Sequence, residues 1–314
     1  MGSGVGRDKM SFNDDVQLDT SRVRTGGGGG RGPGGMVIGG GIGGLILTLV
    51  LMFLGINPSD VPVDTGGSAG QGQVDTAGDA SSELLADCET GADANEDIWC
   101  RMVGAENSVQ AFWAAELPRY GREWREPTLT LYQGQTQSAC GTASNQVGPF
   151  YCPLDQGIYI DADFFQILED QFGSQGGPLA QMYVVAHEFG HALQDQLGLL
   201  GRAQQDPQGA ESGAVRIELM ADCLAGIWAQ HAAETPAPGS DVPFLQPLTD
   251  DQIRDALSAA ASVGDDNIQE RTQGRVTPEN WTHGSSEARQ RWFLQGYQTG
   301  DLNKCDTFAV DSVN

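Results

Sequence analysis

The stretch YVVAHEFGHALQDQLG, residues 183–198, limits what this chain can be more than any other. It sets His187 and His191 four residues apart with Glu188 between them. On an α-helix such residues share a face about one turn apart, so both imidazoles can direct a ring nitrogen at one ion. Glu188 lies three residues before His191, close enough to that face to reach a metal-bound water without becoming a ligand. This is the H-E-x-x-H arrangement, in which the glutamate acts as general base. Pro178 near the first helical position and Gly198 at the end mark the limits of the helix.

Two histidines leave a catalytic zinc site one protein ligand short. The extended motif would supply a third histidine, but position 194 is Gln and position 197 is Leu. The segment DPQGAESGAVRIELMADCLAGIWAQHA reads as a second long helix, with Asp206 and Pro207 at its start, and it carries Glu218 and Asp222 on one face. One of these carboxylates can bind the metal while the other accepts the free ring N–H of a ligand histidine. Glu211, two turns before Glu218, competes for the ligand role. It lacks such a partner and suits a solvated charge near a helix N-terminus, so Glu218 is the expected ligand.

The chain has 42 acidic and 17 basic residues, a formal charge of −25. Such a surface repels nucleic acid and anionic lipid head groups, so no nucleic-acid partner is expected. Six cysteines are present and none falls in a C-x-x-C pair. Cys140 and Cys152 bracket one local loop and Cys88 with Cys100 another, spacings that read as disulfides. Cys223 and Cys305 then remain to pair over a long range.

Residues 36–56, MVIGGGIGGLILTLVLMFLGI, hold no charge and no proline. As a helix the run is about 31 Å long, enough to span the hydrocarbon core. Arg7, Lys9, Arg22, Arg24 and Arg31 precede it, and no Lys or Arg follows until Arg101. The expected topology is therefore a single-pass anchor in the cell membrane, with a cytoplasmic N-terminus and an extracytoplasmic domain. Residues 1–35 read as a flexible Gly-rich cytoplasmic segment and 57–82 as an acidic, Gly/Ser-rich tether. Gly39, Gly40, Gly43 and Gly44 have the small-xxx-small spacing that could pair two anchors weakly into a homodimer.

Residues 83–314 form the expected globular domain. PTLTLYQG and QGIYIDADFF carry strand composition, whereas TDDQIRDALSAAASVG and SSEARQRWFLQGYQTG read as further helices. The expected class is α+β, mostly helical with a small sheet beside the active helix. GIYIDADFF is read as an edge strand to which an extended peptide substrate could add.

HEFGH followed by ELMADCLAG resembles the gluzincin arrangement, H-E-x-x-H with a downstream E-x-x-x-D helix. Together with CGTASNQVGPFYCPLDQGIYID and HGSSEARQRWFLQGYQTGD it resembles more closely a bacterial family of membrane-anchored neutral zinc metallopeptidases. The likeness spans roughly residues 83–310 and the anchor. It implies a zincin-like fold, one catalytic zinc ion and a peptide or protein substrate. It further implies His187, His191 and Glu218 as ligands, Glu188 as base and Asp222 as the partner of His187. Gluzincin-like sites take an oxyanion donor from a downstream His or Tyr, here His283 first and Tyr297 in reserve. Cys88 and Cys100 lie outside the family pattern and rest on spacing alone. His231, near a helix C-terminus, needs only a dipole-facing role.

The implied function is a membrane-anchored zinc endopeptidase. Two other readings share these residues: a zinc amidase acting on cell-wall peptides, and a membrane-tethered binding or assembly protein with a vestigial zinc site. Glu188 favours chemistry, because a structural zinc site takes four ligands, usually including thiolates, and has no use for a base.

Overall fold

A computed structural model describes residues 11–26, 84–144 and 147–314. In chain order, strand β1 (Val23–Gly26) is followed by helices α1 (Gly91–Glu96) and α2 (Ile98–Glu116). Strands β2 (Thr128–Tyr132), β3 (Gln135–Ser138), β4 (Gly141–Ser144), β5 (Phe150–Cys152) and β6 (Gly157–Asp161) come next. The helical half comprises α3 (Phe164–Asp170), α4 (Pro178–Gln196), α5 (Gly201–Gln205), α6 (Gly213–His231), α7 (Asp250–Ser262), α8 (Asp265–Gln273) and α9 (Ser286–Thr299). The protein thus mixes helices with a small sheet, as expected for the domain.

The main sheet has the order β1-β2-β6-β5, and β3 pairs with β4 in a separate hairpin. β1, β2 and β6 run parallel, while β5 runs antiparallel to β6 with Phe150 opposite Tyr159. GIYIDADFF therefore does not supply an edge. β6 lies between β2 and β5, so its backbone groups are engaged on both sides and cannot take a substrate strand. All five of its residues are buried, the pattern of an inner strand.

The flexible segment expected over residues 1–35 is corrected for residues 11–26. Phe12 is fully buried, Asn13 donates its side-chain amide to Pro243 O and Leu245 O, and β1 pairs with β2 from Val23 opposite Leu129. The apolar run 36–56, the tether 57–82 and the glycine spacing lie outside the described residues. Residues on either side of that run pair in one sheet, Val23 opposite Leu129. Among the described residues, no helix is long and apolar enough to cross a membrane.

Three disulfides tie the domain: Cys88–Cys100, Cys140–Cys152 and Cys223–Cys305. The second links the end of the β3–β4 hairpin to β5. The third joins α6 to the segment after α9. Helix α6 begins at Gly213 rather than near Asp206, because Ser212 Oγ caps it by accepting the Val215 N–H. Asp206 instead accepts the Gly213 N–H through its side chain.

Close helix contacts position the site. A Cβ on Gly190 of α4 would lie 3.1 Å from Ala221 Cα, so glycine lets α4 approach α6 between the two histidines and Glu218. On the other side of α6, Gly226 meets Phe293 O and Gly296 meets Cys223 O, which leaves no room for a side chain at either position. Helix α9 can therefore lie directly on α6.

Helix α2 fully buries Glu106, whose carboxylate accepts from Asn107 Nδ2 and, at 3.0 Å, from Gln110 Nε2. Burial pushes its pKa up from 4.5 to about 7, and the two donors offset only part of that shift. A carboxyl raised in the folded state contributes stability that is full below its unfolded pKa and is lost as pH rises to the folded one. The loss between those values is on the order of 3 kcal/mol. Glu106→Gln should therefore flatten the fall in stability between pH 5 and pH 8, measured by urea unfolding. An unchanged fall would assign the titration to another group.

Candidate metal centre

Helix α4 places His187 and His191 one turn apart, and α6 brings Glu218 up to both. His187 Nε2 lies 3.2 Å from Glu218 Oε2, and His191 Nε2 lies 3.5 Å from Glu218 Oε1. The two imidazoles are nearly perpendicular, with ring centroids 4.8 Å apart. The candidate ligand atoms all lie within 4.8 Å of one another, and all three residues are buried.

The hydrogen bonds behind these rings settle which nitrogens face the centre. His187 Nδ1 sits 2.8 Å from Asp222 Oδ1, a carboxylate that can only accept, so Nδ1 carries the proton. In the neutral ring, Nε2 then turns a lone pair toward Glu218. His191 obeys the same logic through a different partner. Its Nδ1 lies 2.8 Å from Gln194 Oε1, and the amide orientation follows from Gln194 Nε2 donating to Ile217 O at 2.7 Å. His191 Nε2 is buried and makes no hydrogen bond among the described residues. Two ring nitrogens and a carboxylate thus converge on one point, an arrangement that could hold a metal ion.

The electrostatics agree. Burial opposes protonation of His187, but Asp222 and Glu218 outweigh it and raise its pKa to about 9. His191 also shifts upward, since Glu218 outweighs burial there. Despite its own burial, Glu218 is held well below the usual carboxylate range by His191, His283 and His187. Asp222 is likewise lowered against burial, chiefly by Arg289 and then His187. The cluster favours positive charge between Glu218 and the rings, which is what a divalent ion supplies. Two imidazoles and one carboxylate form a catalytic zinc set with a position left for water. Glu188 is 3% exposed and its Oε2 has no hydrogen-bond partner among the described residues. Burial pushes its pKa up, with His191 and His187 restraining the shift.

His283 lies near enough to this centre for its charge to act on Glu218, whereas Tyr297 lies further along α6. The Asp265 Oδ2 atom accepts the backbone N–H groups of Thr282, His283 and Gly284 at 2.7–2.9 Å, bracing the loop. Gly284 adopts φ +92° and packs on Leu219 and Val215 of α6, beside Glu218. His283 Nδ1 lies 2.8 Å from Thr282 Oγ1 and 3.6 Å from Asp265 Oδ1. Tyr297 stacks on Phe293 at the Gly226 end of α6, two turns beyond Glu218. His231 stacks on Phe112 and lies outside the centre.

Glu211 is occupied elsewhere. It accepts from Ser312 Oγ and the Val313 N–H and pairs with Arg216. Cys88, Asp97 and Cys100 also cluster, but both sulfurs are spent in a disulfide.

Four residues of the centre escape the sequence reading: Tyr183, Gln194, Asp265 and Arg289. Gln194 stands three residues after His191 and Tyr183 four before His187, so helical spacing is the available signal for both. Asp265 and Arg289 join the centre only through tertiary contacts.

The sequence profile of a family described as "Putative neutral zinc metallopeptidase" matches residues 10–308, a span that takes in β1. Uncharacterized protein Rv2575 of Mycobacterium tuberculosis is 54% identical over 249 residues, which cover 79% of this chain and 84% of that protein. Uncharacterized protein YpfJ of Escherichia coli K12 is 37% identical over 202 residues, covering 63% of this chain and 67% of its own. No solved structure matches the chain.

Proposed function

The chain belongs to the neutral zinc metallopeptidase family, and from that membership and the geometry of its centre we propose that it is a zinc-dependent endopeptidase. The observation that carries this reading is the fixed tautomer of both histidines, which turns each Nε2 toward Glu218. His187, His191 and Glu218 would hold the ion. When bound, zinc would act as a Lewis acid that lowers the pKa of its water and polarises the scissile carbonyl.

The remaining work falls to side chains of this chain. Glu188 takes the proton of the attacking water and returns it to the leaving amine, a transfer suited to a buried carboxyl whose pKa is raised. Asp222 and Gln194 keep the two rings oriented. His283 Nδ1 lies 2.8 Å from Thr282 Oγ1, and in the tautomer in which that hydroxyl donates, Nε2 carries the proton and can donate to the oxyanion as it forms. The binding-protein reading leaves without a purpose the buried Glu188, whose Oε2 has no hydrogen-bond partner among the described residues. The three disulfides support an oxidising, extracytoplasmic compartment for the domain.

The substrate test is direct. Zinc-loaded protein should cleave casein within the chain and leave purified cell-wall peptides intact. Cleavage of the wall peptides alone would replace this reading with the amidase. For His283, an oxyanion role predicts that His283→Ala lowers kcat by about 10²–10³ with little change in KM and with zinc retained. Tyr297→Phe should be nearly silent. The reverse pattern would exchange the two roles.

A further inference from the structure

We propose that Arg289 is a positioning residue that locks the metal-binding face of α4 and α6 to the loop carrying His283; this rests on the zinc-peptidase reading above. Arg289 is 3% exposed and grips Asp222 with a two-pronged contact, Nε to Oδ2 at 2.9 Å and the terminal NH2 to Oδ1 at 3.0 Å. The same NH2 lies 3.2 Å from the Tyr183 hydroxyl, which itself donates to Asp222 Oδ1. Asp222 Oδ1 therefore receives His187 Nδ1–H, Tyr183 O–H and Arg289 N–H together. A carboxylate held by three donors has no freedom to turn, and the His187 ring that leans on it is fixed as well.

Stability alone does not account for this arrangement. A fully buried ion pair gains little over apolar side chains of the same volume, because desolvation consumes most of its attraction. Its position in the chain gives it a use. Arg289 stands in the first turn of α9, where its N–H bonds the carbonyl of Ser285, the residue that caps the helix. His283 lies two residues before that cap. Anchoring Arg289 to Asp222 therefore sets where α9 begins, and with it where the Asp265-braced loop meets α6. One side chain thereby reaches α4 through Tyr183, α6 through Asp222 and the end of α7 through Val263 O. The role predicts two separable losses, in metal affinity through His187 and in kcat through His283.

The test uses Arg289→Lys, which keeps the charge but loses the fork, and the double variant Asp222→Asn/Arg289→Gln, which leaves no buried charge unpaired. Both are made in the full chain, with and without Glu188→Gln so that affinity is read where hydrolysis plays no part. Zinc affinity is measured by competition with a chromophoric chelator, the ligand field by the visible spectrum of the Co2+-loaded protein, and folding by thermal melts without metal. The expected result is zinc binding weaker by about 10–100-fold in both variants. An altered cobalt spectrum and a cooperative melt should accompany it. Wild-type affinity and an unchanged cobalt spectrum in the double variant would overturn the proposal. So would failure of both variants to fold, which would make the pair structural. Wild-type protein that binds zinc but cleaves nothing would defeat the endopeptidase reading and leave the metal-affinity role of Arg289 standing. Wild-type protein that binds neither ion would end both.

Discussion

Glu188→Gln is expected to abolish most hydrolysis, by a factor on the order of 10²–10⁴, while zinc stays bound. Glutamine matches glutamate in size, so the 3% exposed site on α4 keeps its packing. The carboxylate that accepts the proton of water is gone, whereas His187, His191 and Glu218 are untouched. Turnover on an unfolded protein substrate and zinc content by elemental analysis should be taken on the same preparation. Near-normal turnover would move the base to another residue. Loss of zinc would make Glu188 a ligand.

Removing the acidic ligand should have the other large effect. Glu218→Ala takes away the carboxylate that faces both Nε2 atoms at 3.2 and 3.5 Å. Loss of an outer partner alone typically costs 10–100-fold in metal affinity, so loss of a ligand should exceed about 100-fold. Glu211→Ala is the internal control. Glu211 accepts from Ser312, Val313 and Asn314 and pairs with Arg216, so its removal should loosen residues 312–314 and leave zinc in place. Equal zinc content in the two variants would overturn the choice of Glu218.

Spacing along single helices makes much of the centre legible in the sequence. His187, Glu188 and His191 follow from the pitch of α4, and Glu218 with Asp222 from the pitch of α6. Local spacing likewise points to Cys88–Cys100 and Cys140–Cys152, with Cys223–Cys305 as the remainder. Tyr183 and Gln194 stand at helical spacing too, but many residues flank any histidine at such distances, and only the direction of a side chain selects among them. Arg289 lies 102 positions from His187, and its ion pair with Asp222 exists only once α9 has packed on α6.

The sheet is harder to read for related reasons. β1 has only four residues, VRTG, with no apolar alternation, and its pairing with β2 bridges about a hundred positions. Asp161 gives β6 the look of a strand with a wet face. In the fold it is fully buried and accepts the N–H groups of Gly134 and Asp163. Tyr297 shares α9 with Arg289 but sits two turns further along, where α6 has already left the centre behind.

The central claim is that one zinc ion held by His187, His191 and Glu218 drives peptide hydrolysis. It is tested most directly by stripping the metal from purified protein and following cleavage of an unfolded protein substrate as zinc is added back. Activity should vanish on stripping and return in full at one equivalent of zinc per chain. Cleavage that survives complete removal of the metal would contradict the account, as would protein that takes up one equivalent of zinc and cleaves nothing.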